Sequence, residues 1–321
     1  MKLSSFRQNA SRFILFLGLS LLIGITGCQR NVVNPPEIQY GKNRFTTNVD
    51  GYSREYYVHV PAGYDGKKSL PVVFMLHGTS GDGEKFYNIS GWKEVGEREN
   101  ILTVFPSSWH HCIVEDGEVL NTTKWNIYPG AFTYCPGEQP LDDIKFLRQV
   151  ISEMEDRYAV DEKRIYLAGF SNGGQMAFRC AVEMSDVLAA VVHCSAGIPR
   201  DTVFEPKRNL PISFQLGNED DRFFTQPVPL SGFATGLEQI PIFRDIKATE
   251  IATFDYADHY TLSGDTTKVE VATFPSIEAG GNREFNMALI AGLGHNYPNG
   301  INHWLHGAEV HWQWLKQYTL P

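Results

Sequence analysis

Gly169-Phe170-Ser171-Asn172-Gly173 is a G-x-S-x-G run, the spacing that serves nucleophilic catalysis by serine. A serine hydroxyl is a weak nucleophile until a neighbouring base takes its proton and an acid orients that base. The glycines are needed because the turn is strained and the following helix must pack close to the preceding strand. In such a strand–turn–helix setting the chain order is nucleophile, acid, base. The candidate acid is Asp220, which closes the run ISFQL-GNE-D; Asp221 is its rival, and Asp255 and Asp258 are more distant alternatives. The candidate base is His295, in the Gly-flanked loop GLGHNYP that follows an apolar run at 285–290. His110, His111, His303, His306 and His311 lack that strand-to-loop setting, and His303/His306 have no third partner that would suggest a metal. An oxyanion needs two preorganised N–H donors. The backbone of Asn172 is one candidate, aided by the helix N-terminus. Thr79, in the Gly-rich turn at 77–83, is the other, with His77 expected to brace that turn. This chemistry calls for no cofactor and no metal.

Short apolar runs at 56–60, 71–76, 101–105, 164–169, 188–194, 212–216, 269–274 and 285–290 predict strands. Between them lie helical patterns. After Asp142 or Asp143 as N-cap, Ile144, Leu147, Ile151, Met154 and Tyr158 define one face. A second helix follows Ser171 to about 184, and 306–318 predicts a closing helix with Ala308, Trp312 and Leu315 inward. Continuous apolar strands alternating with helices predict an α/β architecture, a mostly parallel sheet covered on both faces. The segments 108–140 and 221–238 lack periodicity and are expected to be long loops, which in a compact domain are usually functional. Trp109, Trp125, Tyr128, Phe132 and Tyr134 crowd the first, and Phe223 and Phe224 open the second. Trp125, in polar surroundings, is the favoured substrate contact.

The first residues read as an address. Lys2, Arg7 and Arg12 precede an apolar core at 13–25, the shape of a secretory signal. The run Ile25-Thr26-Gly27-Cys28 is similar to a bacterial lipobox, so lipidation at Cys28 is expected; an ordinary signal peptide with a nearby cysteine is the alternative. The expected organisation is a signal at 1–27, a tether and extension at 28–50, and one catalytic domain at 51–321. Gln29 after the cysteine leans toward outer-membrane sorting if the source has two membranes. Four cysteines remain, an even number for an oxidising compartment. Pairing by local bracketing favours Cys112–Cys135 and Cys180–Cys194, with buried free thiols as the alternative. A formal net charge of −9 argues against nucleic acid as a partner. Membrane contact is expected through the lipid alone, and no obligate protein partner is evident.

The run at 141–181, LDDIKFLRQVISEMEDRYAVDEKRIYLAGFSNGGQMAFRCA, resembles the polyhydroxybutyrate depolymerase/feruloyl esterase family of secreted serine esterases. The turn FMLHGTSGD and the segment GLGHNYP resemble it too. The resemblance implies an α/β-hydrolase fold and metal-free ester hydrolysis through an acyl-enzyme, with Ser171, Asp220 and His295 as the triad. That family often carries a His-Gly pair just before the acid, where this chain has Leu216-Gly217, and the stretch 221–269 is longer and different. Three readings follow: an esterase on feruloyl- or acyl-carbohydrate or hydroxyalkanoate oligomers, a peptidase or amidase using the same triad, and a non-catalytic binding lipoprotein.

Overall fold

The computed structural model describes residues 38–199, 202–278 and 283–321. The signal segment, Cys28 and the tether as far as residue 37 lie outside the described residues. The antiparallel hairpin β1 (Gly41–Val49) and β2 (Tyr52–Val60) comes first, then β3 (Leu70–Leu76), α1 (Gly83–Ile89), α2 (Trp92–Glu99) and β4 (Leu102–Pro106). Three short strands follow: β5 (His110–Glu115), β6 (Glu118–Thr123) and β7 (Thr133–Tyr134). Next come α3 (Asp143–Arg157), β8 (Val160–Phe170), α4 (Asn172–Glu183), β9 (Ala190–Cys194) and β10 (Ile212–Gly217). The chain ends with α5 (Phe233–Gln239), α6 (Pro241–Phe254), β11 (Thr261–Asp265), β12 (Val269–Pro275), β13 (Glu284–Ile290) and α7 (Gly307–Leu315).

Ten strands form one sheet in the order β1-β2-β4-β3-β8-β9-β10-β13-β12-β11. The six central strands from β4 to β13 run parallel, with antiparallel pairs at both edges. Strand alternation divides the core. Val191 of β9 faces a core with Phe146 of α3, Phe178 of α4 and Phe243 of α6, while Val192 faces one with Phe86 of α1, Trp92 of α2 and Trp312 of α7. Helices therefore cover both faces, as parallel strands without a polar side require. Asp142 caps α3 through its side chain to the Lys145 N–H at 2.9 Å, and Ala308, Trp312 and Leu315 are buried in α7.

Three expectations need correction. Residues 41–49, expected in the extension ahead of the catalytic domain, join its sheet: β1 pairs with β2 from Gly41↔Val60 to Val49↔Tyr52. Its buried positions include the polar Asn43 and Thr47, so no apolar alternation announces a strand. The 108–140 segment is no bare loop, since β5 pairs with β6 and β7 in a small separate sheet. The disulfide Cys112–Cys135 ties that excursion together. Cys180 and Cys194, in contrast, are buried free thiols. They lie in different halves of the core: Cys180 packs among Phe178 and its neighbours, while β9 turns Cys194 toward Trp312 on the other face.

Candidate active site

Ser171 stands between β8 and α4 at φ 54°, ψ −122°, a left-handed backbone that costs a non-glycine residue of order 1–3 kcal/mol. Its own N–H donates to the Cys194 carbonyl at 2.9 Å, which helps hold the turn. Close approach explains both flanking glycines. A Cβ on Gly169 would lie 2.1 Å from the Gly173 carbonyl oxygen, and one on Gly173 would lie 2.3 Å from the His77 carbonyl oxygen. Backbone contact thus draws the start of α4 onto the end of β3 and brings the turn at 77–81 alongside Ser171.

The Ser171 hydroxyl donates to His295 Nε2 at 3.0 Å, and His295 Nδ1–H donates to the two Asp220 carboxylate oxygens at 2.9 and 3.0 Å. Asp220 is fully buried, whereas the His295 side chain keeps 21% of its exposure, so the carboxylate is shielded and the imidazole edge is reachable. The loops bearing the two groups follow neighbouring parallel strands, β10 and β13. They are joined directly: Gly292 N–H donates to Asn218 Oδ1 at 2.7 Å, and Glu219 N–H donates to the Leu293 carbonyl at 3.1 Å. A Cβ on Gly217 would sit 1.9 Å from that same Leu293 oxygen, so glycine is the part of the Leu216-Gly217 pair that the site needs. Asp221, the rival acid, makes no contact with His295 among the described residues.

The turn opposite is braced from several sides. Buried His77 donates from Nδ1–H to the Gly78 carbonyl at 2.7 Å and accepts at Nε2 from Ser108 N–H at 2.9 Å, which fixes a neutral tautomer. Desolvation pushes its pKa down to about 4, in keeping with a bracing role. Ser80 N–H donates to the Thr123 carbonyl at 3.0 Å, and the Thr123 hydroxyl donates to the Gly81 carbonyl. The excursion β5–β7 thereby holds the segment containing Thr79, which lines the same cavity as Ser171.

Trp125, expected to touch substrate, does not line the cavity over Ser171. It is fully buried, its indole N–H donates to the His77 carbonyl at 2.9 Å, and its ring packs 5.1 Å from that of His77. Its backbone is clamped by the Asn172 side chain, Trp125 N–H donating to Oδ1 at 2.6 Å and Nδ2 donating back to the Trp125 carbonyl. Asp143 fastens the next residue, accepting from Asn126 N–H at 2.7 Å while paired with buried Arg54 at 2.6 Å. The polar sequence around Trp125 signals hydrogen-bonded anchorage, not exposure. Of the aromatics singled out, Phe223 lines the cavity, while Trp109 packs on Tyr52 and Phe224 on Phe243. Phe170, the variable residue before Ser171, lines it as well and was not among those singled out.

The cavity over Ser171 measures about 440 Å³, is open to solvent and is lined by His295 among others. His295 is also stayed from behind. Two residues on, buried Tyr297 accepts from Trp92 Nε1–H at 3.0 Å and donates to His311 Nδ1 at 3.0 Å, and His311 Nε2–H donates to Gln215 at 2.9 Å. A strained serine in contact with an oriented imidazole, beside a turn and a helix N-terminus, is an arrangement suited to acyl transfer.

Residues 138–240 match the Dienelactone hydrolase family. Feruloyl esterase B of Piromyces equi is 25% identical over 274 residues, covering 84% of this chain and 46% of that protein. Poly(3-hydroxyalkanoate) depolymerase C of Paucimonas lemoignei is 26% identical over 143 residues, 44% of this chain and 31% of that one. The chain thus spans half or less of the length of these relatives. Among solved structures, the acetyl xylan esterase from Aspergillus awamori superposes with a TM-score of 0.57 at 14% identity, covering 85% of this chain and 99% of its own. The fold is that of the α/β hydrolases, and the sequence resembles feruloyl esterases and a polyhydroxyalkanoate depolymerase.

Proposed function

We propose that this protein is a serine esterase that cleaves carboxylic esters through an acyl-enzyme. The observation that carries the reading is the unbroken relay from Ser171 through His295 to buried Asp220, at 3.0 and 2.9 Å. His295 Nε2 takes the hydroxyl proton as Ser171 Oγ attacks the ester carbonyl, and Asp220 steadies the resulting imidazolium. The oxyanion is received by the N–H groups of Asn172 and Thr79. Collapse breaks the ester C–O bond, and His295 returns the proton to the departing alcohol. Water then attacks the acyl-serine, with His295 as base again, releasing the acid and restoring Ser171. The similarity to feruloyl esterases and a polyhydroxyalkanoate depolymerase favours feruloyl- or acyl-carbohydrate and hydroxyalkanoate oligomers as substrates.

The lipobox-like run ending at Cys28 supports export and lipid anchoring at the cell envelope, with oligomers rather than bulk polymer as food. Faster release of product from intact polymer films than from oligomers would contradict that part. The central test is competition between methyl ferulate and a 3-hydroxybutyrate oligomer in one tube, with Ser171→Ala as blank. Depletion of either ester above the blank, with fluorophosphonate labelling at Ser171, is expected. Absence of both would refute the esterase reading.

A further inference from the structure

We infer that Phe223 is a positioning residue for the catalytic imidazole, and that an ester with an apolar alcohol half steadies that imidazole further; this rests on the esterase reading above. Two phenyl rings touch His295. The centroid of its ring lies 5.2 Å from that of Phe170, tilted by 42°, and 6.4 Å from that of Phe223, tilted by 50°. These rings come from opposite halves of the core: Phe170 packs on the half with Phe86 and Trp312, Phe223 on the half with Phe178 and Phe243. Both line the cavity over Ser171.

The two sides are built differently. Phe170 is backed by the buried rings of Phe86 at 6.3 Å and Tyr297 at 6.2 Å. The turn at 77–81 closes on it as well, since a Cβ on Gly78 would lie 3.3 Å from Phe170 Cδ1. Phe223 has no such backing: among the described residues His295 is its only ring contact. Its backbone is fixed, the N–H donating to the Asp220 carbonyl at 3.0 Å, and the next residue, Phe224, packs on Phe243 at 5.6 Å. The Phe223 ring is therefore held at its root and half-buried at its edge, with the imidazole on one side and the cavity on another.

The chemistry says which half of an ester reaches that ring. His295 Nε2 must hand its proton to the leaving oxygen, so the alcohol half lies on the imidazole side of Ser171. An apolar alcohol there covers Phe223, and the added dispersion contacts hold the ring against the imidazole. A small alcohol leaves the same place to water, and the imidazole keeps more freedom to rock. A misplacement of about 1 Å costs on the order of a hundredfold in rate. Bulk in the alcohol half thus acts on the acyl-transfer step and not on binding alone.

The test compares benzyl acetate with methyl acetate. Both leave the same acetyl-enzyme, so a difference in the saturated rate of alcohol release in the first turnover belongs to acylation. The benzyl ester is expected to acylate about tenfold faster at saturation. Phe223→Ala should slow both esters and remove most of that advantage, while Phe223→Tyr, which keeps the ring, should restore it. Phe223→Leu keeps bulk without a flat ring and should fall between them; it stands in if the alanine variant does not fold. NMR relaxation of the His295 ring, identified by its loss in His295→Gln, should show a more mobile imidazole in Phe223→Ala. A benzyl advantage confined to KM, or one that survives both Phe223→Ala and Phe223→Leu, would overturn the inference and leave the esterase reading standing. Failure of both acetates to acetylate Ser171 would bring down both.

Discussion

Trp125→Phe separates an anchoring tryptophan from a substrate-binding one. The phenyl ring keeps the contact with His77, whose ring lies 5.1 Å away, but it removes the indole N–H that donates to the His77 carbonyl at 2.9 Å. That carbonyl also packs against Gly173, where a Cβ would lie 2.3 Å away, so the backbone around it has little freedom to turn toward another donor. An unmet buried acceptor costs about 1–3 kcal/mol. The smaller ring adds a cavity penalty, so the expected loss is roughly 2–4 kcal/mol in urea unfolding. The turn carrying Thr79 keeps its ties to Thr123, so it loosens without being released. Complete removal of an oxyanion donor costs about a hundred- to a thousandfold in kcat, and a misplaced one should cost about tenfold. The assay is kcat and KM on methyl ferulate and on an aliphatic ester. Equal falls in kcat with little change in KM are expected for both. A KM that rises for the aromatic ester alone, with kcat intact, would refute the argument and return Trp125 to the substrate.

Asp220→Asn should lower kcat by about four orders of magnitude with the fold retained, because the amide presents the wrong partner to His295 Nδ1–H; an equal loss from Asp221→Asn would contradict the assignment. Tyr297→Phe strands Trp92 Nε1–H and His311 Nδ1, both buried, and should destabilise by about 2–4 kcal/mol, a change of under half a kcal/mol in chemical unfolding being the contrary result. Burial holds His77 at about 4 and His311 at about 3, against an unfolded value near 6.5. The unfolded chain therefore binds more protons below 6.5; the stability these groups contribute is complete above that pH and lost as pH falls toward 4 and then 3, a few kcal/mol each. Tryptophan fluorescence during acid titration reads this, and stability that stays level from pH 7 to 4 would speak against it. Reducing Cys112–Cys135, which closes a loop with a sequence separation of 23, should destabilise the excursion by about 3 kcal/mol, visible as a lowered Tm; an unchanged Tm would count against a stabilising role.

The relay was legible in the sequence because strand, turn and helix around 164–184 each carry their own local signal, and because chain order narrows the acids and histidines. The central strands were legible for the same reason: burial on both faces leaves apolar runs. What escaped depends on partners distant in sequence. β1 hides behind Asn43 and Thr47, and the local sign of its pairing with β2 is the Asp50-Gly51 turn, both residues at positive φ, not the strand itself. Trp125 seemed exposed because its neighbours are polar, yet the backbone N–H groups of Trp125 and Asn126 are spent on Asn172 and Asp143, 47 and 17 residues away. The pairing of Cys180 with Cys194 failed on a question of sides, since a strand's alternation decides which half of the core a side chain enters. Asn218, which joins the acid and base loops, sits next to Gly217 without any motif of its own.

Acid and base leave the sheet on adjacent parallel strands, β10 and β13, about 4.8 Å apart as such neighbours are. Their alignment is thus a lattice spacing more than a loop conformation, and Gly217 and Asn218 keep the loop ends in step with it. The walls of the cavity draw as well on the β5–β7 excursion, on residues 195–197 after β9 and on the segment after Asp220. On the proposed reading, substitutions in those walls away from Phe223 would change the choice of ester without moving Ser171, His295 or Asp220.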